Sequence, residues 1–113
     1  MDKIKKYEKV ILKVLADYAA ITSPFMPDVE NKIIADSRSH HYQLVRMGWY
    51  KERHIHYTVF HFEIRDDKVW IHENRTDVKI DEELMINGIA QVDIISGLQH
   101  PAMRYLTQQL AVI

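Results

Sequence analysis

The sequence predicts an α+β fold in which an N-terminal helix packs on a four-stranded antiparallel meander sheet, with short helices at the C-terminus. Apolar residues recur at three- and four-residue spacing over residues 2–21, which is typical of an amphipathic helix. Four strand-like segments then follow one another across short turns. Such links favour antiparallel pairing, because a parallel crossover needs about a dozen residues or more. Glycines interrupt the last third, where helical spacing returns, and we expect residues 1–113 to form one domain.

The predicted N-terminal helix has one apolar side. Its apolar positions are Ile4, Tyr7, Ile11, Val14, Leu15 and Tyr18. Lysines occupy other directions of the helical wheel, so we expect one side to be buried and the other solvated. The helix should end before Pro24, because proline removes a backbone donor and disfavours helical geometry in the residue before it.

The predicted strands cover residues 29–36, 40–49, 53–65 and 68–73. A hairpin that closes on Asp66-Asp67 pairs Arg65 with Lys68 and, further along, His61 with His72. This register places the apolar residues of both strands on one face, apart from Trp70. In the C-terminal third we expect a helix at 81–86 capped by Asp81, a helical turn at 92–95 and a final helix at 102–110.

The hairpin predicted to close Trp49 against Arg53 has an unusual apolar pattern. Near its tip, one face carries Val45, Met47, Trp49, Ile55 and Tyr57. Nearer its base the apolar residues lie on the opposite face, and both strands change sides at the same level. A bulge in one strand alone does not produce a matched change. Either the C-terminal segment covers the tip, or a partner or second copy packs on it, so these five residues are interface candidates.

Three histidines are the candidates for imidazole chemistry. In the predicted registers, His61 lies between His41 and His72 on adjacent strands, whereas His54 and His56 point to the other face. Three imidazoles can hold a metal, form a pH-sensitive interface, or simply bond to water and backbone on a polar face. We predict that no metal or other cofactor is bound, and keep these three histidines as the candidate ligands.

Composition and missing motifs narrow the function further. With 15 basic and 16 acidic residues, the net charge of -1 disfavours duplex DNA as the principal ligand. The absence of cysteine removes disulfides, thiolate metal sites and cysteine nucleophiles. No nucleophile elbow or metalloprotease helix is present, so we predict that the protein is not an enzyme. No apolar run approaches the ~20 residues of a membrane helix, and we expect a cytoplasmic protein.

Four stretches of the chain, taken in order, carry a family resemblance. They are DKIKKYEKVILKVLADYA, DSRSHHYQLVRMGW, HFEIRDDKVWIHENRTD and GIAQVDIISGLQHPAMRYLTQQLAVI. Their most specific pieces are Tyr42-Gln43-Leu44 with Gly48-Trp49, Lys68-Val69-Trp70-Ile71, and His100-Pro101 with Arg104 and Thr107. Together they resemble the XisI family, the controlling factors for excision of the fdxN element, a DNA segment removed by recombination in cyanobacteria.

The resemblance implies a single XisI-like domain that works beside a companion protein, XisH, while a separate recombinase cuts the DNA. It supplies no catalytic motif. We therefore predict a non-enzymatic accessory factor that acts through protein–protein contacts, and self-association into a homodimer or higher oligomer fits the same interpretation. Trp70, His100 and Arg104 join the interface candidates.

Two alternatives stay open. One is a small metal- or histidine-dependent enzyme that uses His41, His61 and His72, and the other is a module that binds DNA directly. Asp67 and Lys79 replace glycines expected in the family. These departures leave open whether this copy controls excision of the fdxN element or has another target.

Overall fold

The fold is a five-stranded sheet with one long helix on one face. This computed structural model describes residues 2–98, with side chains from residue 3 onward. The elements are α1 (Asp2–Ala19), β1 (Val29–Asp36), β2 (His41–Tyr50), β3 (Arg53–Arg65), β4 (Lys68–Asn74), α2 (Ile80–Ile86), a 3-10 turn (Gln91–Asp93) and β5 (Ile94–Ser96). The strands lie in the order β1-β2-β3-β4-β5. The first four form the predicted antiparallel meander, and β5 joins β4 in parallel.

Helix α1 buries the side that its apolar spacing predicts. Tyr7, Ile11, Val14 and Leu15 are all less than 5% exposed. They pack in one cluster with residues of the sheet and of the α2 region: Tyr42, Leu44, Val59, Phe60, Phe62, Ile64, Val69, Ile71, Ile80, Leu84 and Ile89. Burying a large apolar side chain fully contributes about 1.5–3 kcal/mol, so this cluster between α1 and the sheet is a major source of the fold's stability. None of the helices within residues 2–98 combines the length and the apolarity that a membrane crossing requires.

The predicted helical turn at 92–95 is right for its first half and wrong for its second, because Val92 and Asp93 lie in the 3-10 turn whereas Ile94 and Ile95 begin strand β5. A buried carboxylate anchors this segment, because Asp93 accepts a hydrogen bond from the Tyr7 hydroxyl and lies 2.8 Å from the Lys3 Nζ. Burial tends to raise the pKa of Asp93, but the bonds from Lys3 and Tyr7 outweigh it and hold that pKa below its usual value. Ile94 then packs against the core and Ile95 pairs with Trp70 on β4. So short an apolar run looks alike as helix or strand, and here pairing with β4 makes Ile94–Ser96 a strand.

The predicted turn of the last hairpin is confirmed, whereas the predicted cap of α2 is not. Asp66 and Asp67 both have positive φ, at 55° and 60°, as a tight two-residue hairpin turn requires. The prediction that Asp81 caps α2 was wrong. Lys79 occupies the cap position, and Asp81 lies in the first turn, where a negative charge is also favourable.

Two bulges correct the predicted registers. The hairpin of β2 and β3 closes Tyr50 against Arg53, one residue from the prediction, and its register shifts between Leu44 and Val45, leaving Val59 without a partner on β2. The β3–β4 register is as predicted from Arg65 to Phe62. Past Phe62 the register shifts by one residue. His61 pairs with Glu73, and His72 is a bulged residue of β4 that has no direct partner on β3.

The bulge at Val59 overturns the predicted shared face at the hairpin tip. Ile55 pairs with Gly48 and Tyr57 pairs with Arg46, so alternation along β2 places both on the helix face. Tyr57 packs against the core there. The prediction that Ile55 and Tyr57 share a face with Trp49 was wrong, because one extra residue resets the alternation of β3 and leaves β2 unchanged.

Candidate functional site

The sheet face opposite α1, which we call the outer face, collects most of the candidate residues. Alternation and pairing place on it His41, Gln43, Val45, Met47 and Trp49 from β2, His54, His56, Thr58, His61 and Glu63 from β3, and Trp70 and His72 from β4. Five of the chain's 7 histidines are among them. Imidazole chemistry in this protein therefore concentrates on one side of the sheet, and the prediction that His54 and His56 face away from His61 was wrong.

Three strands bring together the histidine cluster, which consists of His41, His61, Glu63 and His72. The His41 Nδ1 lies 2.9 Å from the His61 Nε2, and the His72 Nε2 lies 2.8 Å from a Glu63 oxygen. The other Glu63 oxygen is 3.5 Å from the His41 Nε2. The three imidazoles lie close together as expected, but His41 and His61 are not direct cross-strand partners. His41 pairs with Glu63 and His61 pairs with Gln43, so the two histidines are diagonal neighbours.

The electrostatics of the cluster favour one ionised carboxylate and a neutral central imidazole. Burial lowers the pKa of His61, and the neighbouring His72 and His41 lower it further, against the opposing charge of Glu63. Burial tends to raise the pKa of Glu63, yet the hydrogen bond from His72 and the charges of His41 and Arg65 hold it below its usual value. The His41–His61 bond needs one ring nitrogen to accept, so full protonation of both rings would break it.

The cluster's donor atoms do not converge on one point. His41 presents its Nδ1 to His61 and its Nε2 to Glu63, two different neighbours. Across residues 2–98, no group of three or more histidine or carboxylate side chains is arranged to hold a metal ion. A structural zinc site needs such a convergent set. The arrangement observed is a hydrogen-bonded imidazole–carboxylate network.

Trp70 adjoins this cluster and is held in place by Arg65. Its indole Nε1 donates to the Arg65 carbonyl at 3.3 Å, and the Arg65 guanidinium lies 4.0 Å from the ring centroid. The ring also stacks on His72, with centroids 6.4 Å apart. A cation over a tryptophan face is worth about 0.5–2 kcal/mol, which explains how an apolar residue is accommodated on the polar side of its strand.

The other half of the outer face is the hairpin-tip surface, formed by Val45, Met47, Trp49, His54 and His56. Trp49 is 55% exposed, whereas Val45 is buried. The Trp49 ring lies 4.9 Å from that of His54, which in turn stacks on His56 at 6.3 Å with nearly parallel planes. Three neighbouring rings thus form an exposed ladder, which can contact a partner with little loss of side-chain freedom on binding.

Gly48 sets the position of this ladder. Its φ is +142°, and a Cβ built there would lie 2.0 Å from the Asp28 carbonyl oxygen. The same oxygen accepts a hydrogen bond from the Trp49 N–H at 3.1 Å. A glycine inside a strand pattern signals such a close backbone approach, so Gly48 is the signal by which the sequence could have identified this constraint.

Comparisons with known proteins agree on one family. The sequence model described as XisI protein matches residues 1–112. The chain belongs to the XisI family. A search of the curated proteins finds no match.

Two crystal structures from Anabaena variabilis ATCC 29413 resemble this XisI-family chain closely. A XisI-like protein is 38% identical, with a TM-score of 0.86 over 93% of this chain and 95% of its own. The fdxN element excision controlling factor XisI is 30% identical, with a TM-score of 0.76 over 94% of this chain and 96% of its own. The α+β fold predicted from the sequence is therefore confirmed, with one strand more than expected.

Of the remaining interface candidates of this XisI-family protein, Tyr57 is part of a hydrogen-bond network, whereas two others lie outside the described residues. Tyr57 accepts a hydrogen bond from the Arg46 Nη1 at 3.1 Å, while the Arg46 Nε bonds to Asn31. Asn31 in turn donates to the carbonyl of Ile21, just past the end of α1, so the sequence missed a polar brace between helix and sheet. His100 and Arg104, with the predicted helix at 102–110, lie outside the described residues.

Proposed function

We propose that this XisI-family protein is a non-enzymatic controlling factor for the site-specific excision of a DNA element, and that it acts in the cytoplasm by binding an XisH-like companion protein. A relative with 30% identity is named as the fdxN element excision controlling factor XisI. The DNA strands are cut by a separate recombinase, and this chain controls that step through protein contacts.

The observation that carries the proposal is the ring ladder at the hairpin tip. Trp49 is 55% exposed and is fixed by a backbone that cannot accept a side chain at Gly48. An exposed tryptophan on a constrained backbone, beside a half-buried methionine, has the composition of a protein-binding hot spot.

The test is binding of the companion, measured by calorimetry with purified XisH-like protein from the same genome. We expect Trp49→Ala to weaken the complex by about tenfold or more, the effect of losing a hot-spot residue. The matched control is Ile86→Ala. Ile86 is 79% exposed but lies on α2, away from the outer face, so its removal should leave the affinity unchanged.

Three results would contradict the proposal. Equal affinity of Trp49→Ala and the unaltered chain would remove the hairpin tip from the interface. A salt-dependent mobility shift of element-end DNA by this chain alone would favour direct DNA binding. A tightly held stoichiometric metal that is lost in His61→Ala would favour an enzyme.

A further inference from the structure

Strand β1 is an open edge of the sheet. It is 8 residues long and stands last in the strand order, and no described element pairs with its outer side. Ile33 and Ile34 are 39% and 47% exposed. The outward N–H and C=O groups of such a strand are a template for another strand. By contrast β5, at the other end of the sheet, has only 3 residues.

We propose that a second copy of the chain pairs antiparallel along β1, centred on Ile34, so that two five-stranded sheets become one continuous sheet. This inference concerns self-association alone and does not depend on the companion protein. A two-fold axis perpendicular to the sheet relates the copies, as in most homodimers. One residue of β1 then faces itself, and every other pairing follows from that choice.

Charge excludes the registers centred on the middle of the strand. A centre at Lys32 sets that lysine against Lys32 of the partner subunit. A centre at Ile33 sets Glu30 against Asp36 of the partner subunit, and symmetry repeats this repulsion. Like charges placed directly opposite each other across strands are destabilising.

The register centred on Ile34 matches both charge and shape. Lys32 faces Asp36 of the partner subunit, and symmetry repeats this pair of opposite charges. Ile34 faces Ile34 of the partner subunit, and Ile33 faces the partner's Ala35, so each exposed isoleucine is covered by an apolar residue. Each favourable cross-strand pair contributes about 0.2–1 kcal/mol.

Backbone hydrogen bonds hold the Asp36 carboxylate in place and keep it ionised, which favours this pairing. One of its oxygens accepts hydrogen bonds from the backbone N–H groups of Arg38 and Ser39, at 2.9 and 3.2 Å. These bonds lower the pKa of Asp36, which keeps the carboxylate ionised. Lys32 makes only an exposed contact of 3.6 Å to Glu30, and such a pair is weak enough to exchange.

Flanking registers leave an isoleucine against a charge. With the centre at Asn31, Ile34 faces Asp28 of the partner subunit, and the Asn31 side chain is already committed to the Ile21 carbonyl. With the centre at Ala35, Ile34 faces Asp36 of the partner subunit. Either pairing buries apolar surface against an ionised carboxylate, which is unfavourable.

Cysteine cross-linking tests the register directly. The chain has no cysteine, so Ile34→Cys introduces a single thiol that faces its own copy and should oxidise to a covalent dimer in dilute solution. Glu30→Cys is the matched control on the same strand. Its two thiols would lie about 27 Å apart across the two-fold axis and should not join. Cross-linking of Asn31→Cys without cross-linking of Ile34→Cys would overturn the proposed register.

Charge exchange tests the interface independently. We expect Lys32→Asp to weaken self-association by about tenfold or more in sedimentation velocity, because it creates two like-charge pairs. The double variant Lys32→Asp/Asp36→Lys should restore the dimer, and circular dichroism checks that both variants fold. A chain that stays monomeric at every concentration would refute the proposal, and so would a double variant that shows no recovery.

Discussion

The two faces of the sheet are built from the same strands but differ in character, because one is apolar and buried and the other is polar and partly exposed. On the helix face, Phe60 and Phe62 are completely buried against α1. On the outer face, the same strand carries His61, half-buried in a hydrogen-bonded cluster, and His56, which is exposed. One face stabilises the chain by excluding water. The other presents rings and titratable groups, several of them exposed.

The two β-bulges increase the difference between the faces. Because each adds a residue, two successive side chains can share one face. Val59 and Phe60 are both buried in the core as a result, and His72 comes close enough to bond to Glu63 although His61 pairs with Glu73. A bulge therefore enriches the core at one level and the polar cluster at another.

The largest effect should come from the helix face. We expect Phe60→Ala to lower the free energy of unfolding by about 3–5 kcal/mol, through lost burial and a residual cavity, as measured by denaturant unfolding. Its matched control is His56→Ala on the same strand, which should change stability by less than about 0.5 kcal/mol. Similar losses from both variants would erase the distinction between the faces.

Lowering the pH should reduce the free energy of unfolding through groups on the outer face, by less than the Phe60→Ala substitution does. The pKa of His61 is lowered from 6.5 in the folded protein, so below that pH the unfolded chain binds the proton more readily. Its contribution to stability is therefore complete above about pH 6.5 and declines as the pH falls. The lowered pKa of Glu63 adds a second loss that begins near 4.5.

Unfolding measured from pH 8 to 4 checks this dependence. We expect His61→Gln to reduce the dependence of the free energy of unfolding on pH near pH 6.5, while His56→Gln should leave that dependence unchanged. A steep dependence near pH 6.5 that persists in His61→Gln would assign the effect to another group.

The smallest effect on stability should come from the hairpin tip. Trp49 is 55% exposed, so we expect Trp49→Ala to shift the free energy of unfolding by about 0.5 kcal/mol or less, measured by the same denaturant unfolding. Since we also expect this variant to lose affinity for the companion, binding and stability should separate at this residue. A loss of several kcal/mol would make Trp49 part of the core.

Local patterns determined much of this fold in advance. The spacing of Tyr7, Ile11 and Leu15 identified the buried side of α1, and Asp66-Asp67 identified the last hairpin of the meander. These features depend on residues close together in the chain. The predicted faces at the hairpin tip failed, because a one-residue bulge has no clear local signature and reverses the alternation of every residue beyond it.

The sequence by itself determined the fold class, the family and the presence of imidazoles in adjacent strands. Tertiary structure decided which of them meet, since the bond from His41 to His61 crosses the sheet diagonally at a register shifted by bulges. It also decided that Ile94–Ser96 forms a strand, through pairing with β4, and that the turn before this strand is anchored by the contact of Asp93 with Tyr7, 86 positions away along the chain. Contacts between residues so far apart in sequence leave no periodicity to detect, and only the folded chain brings them together.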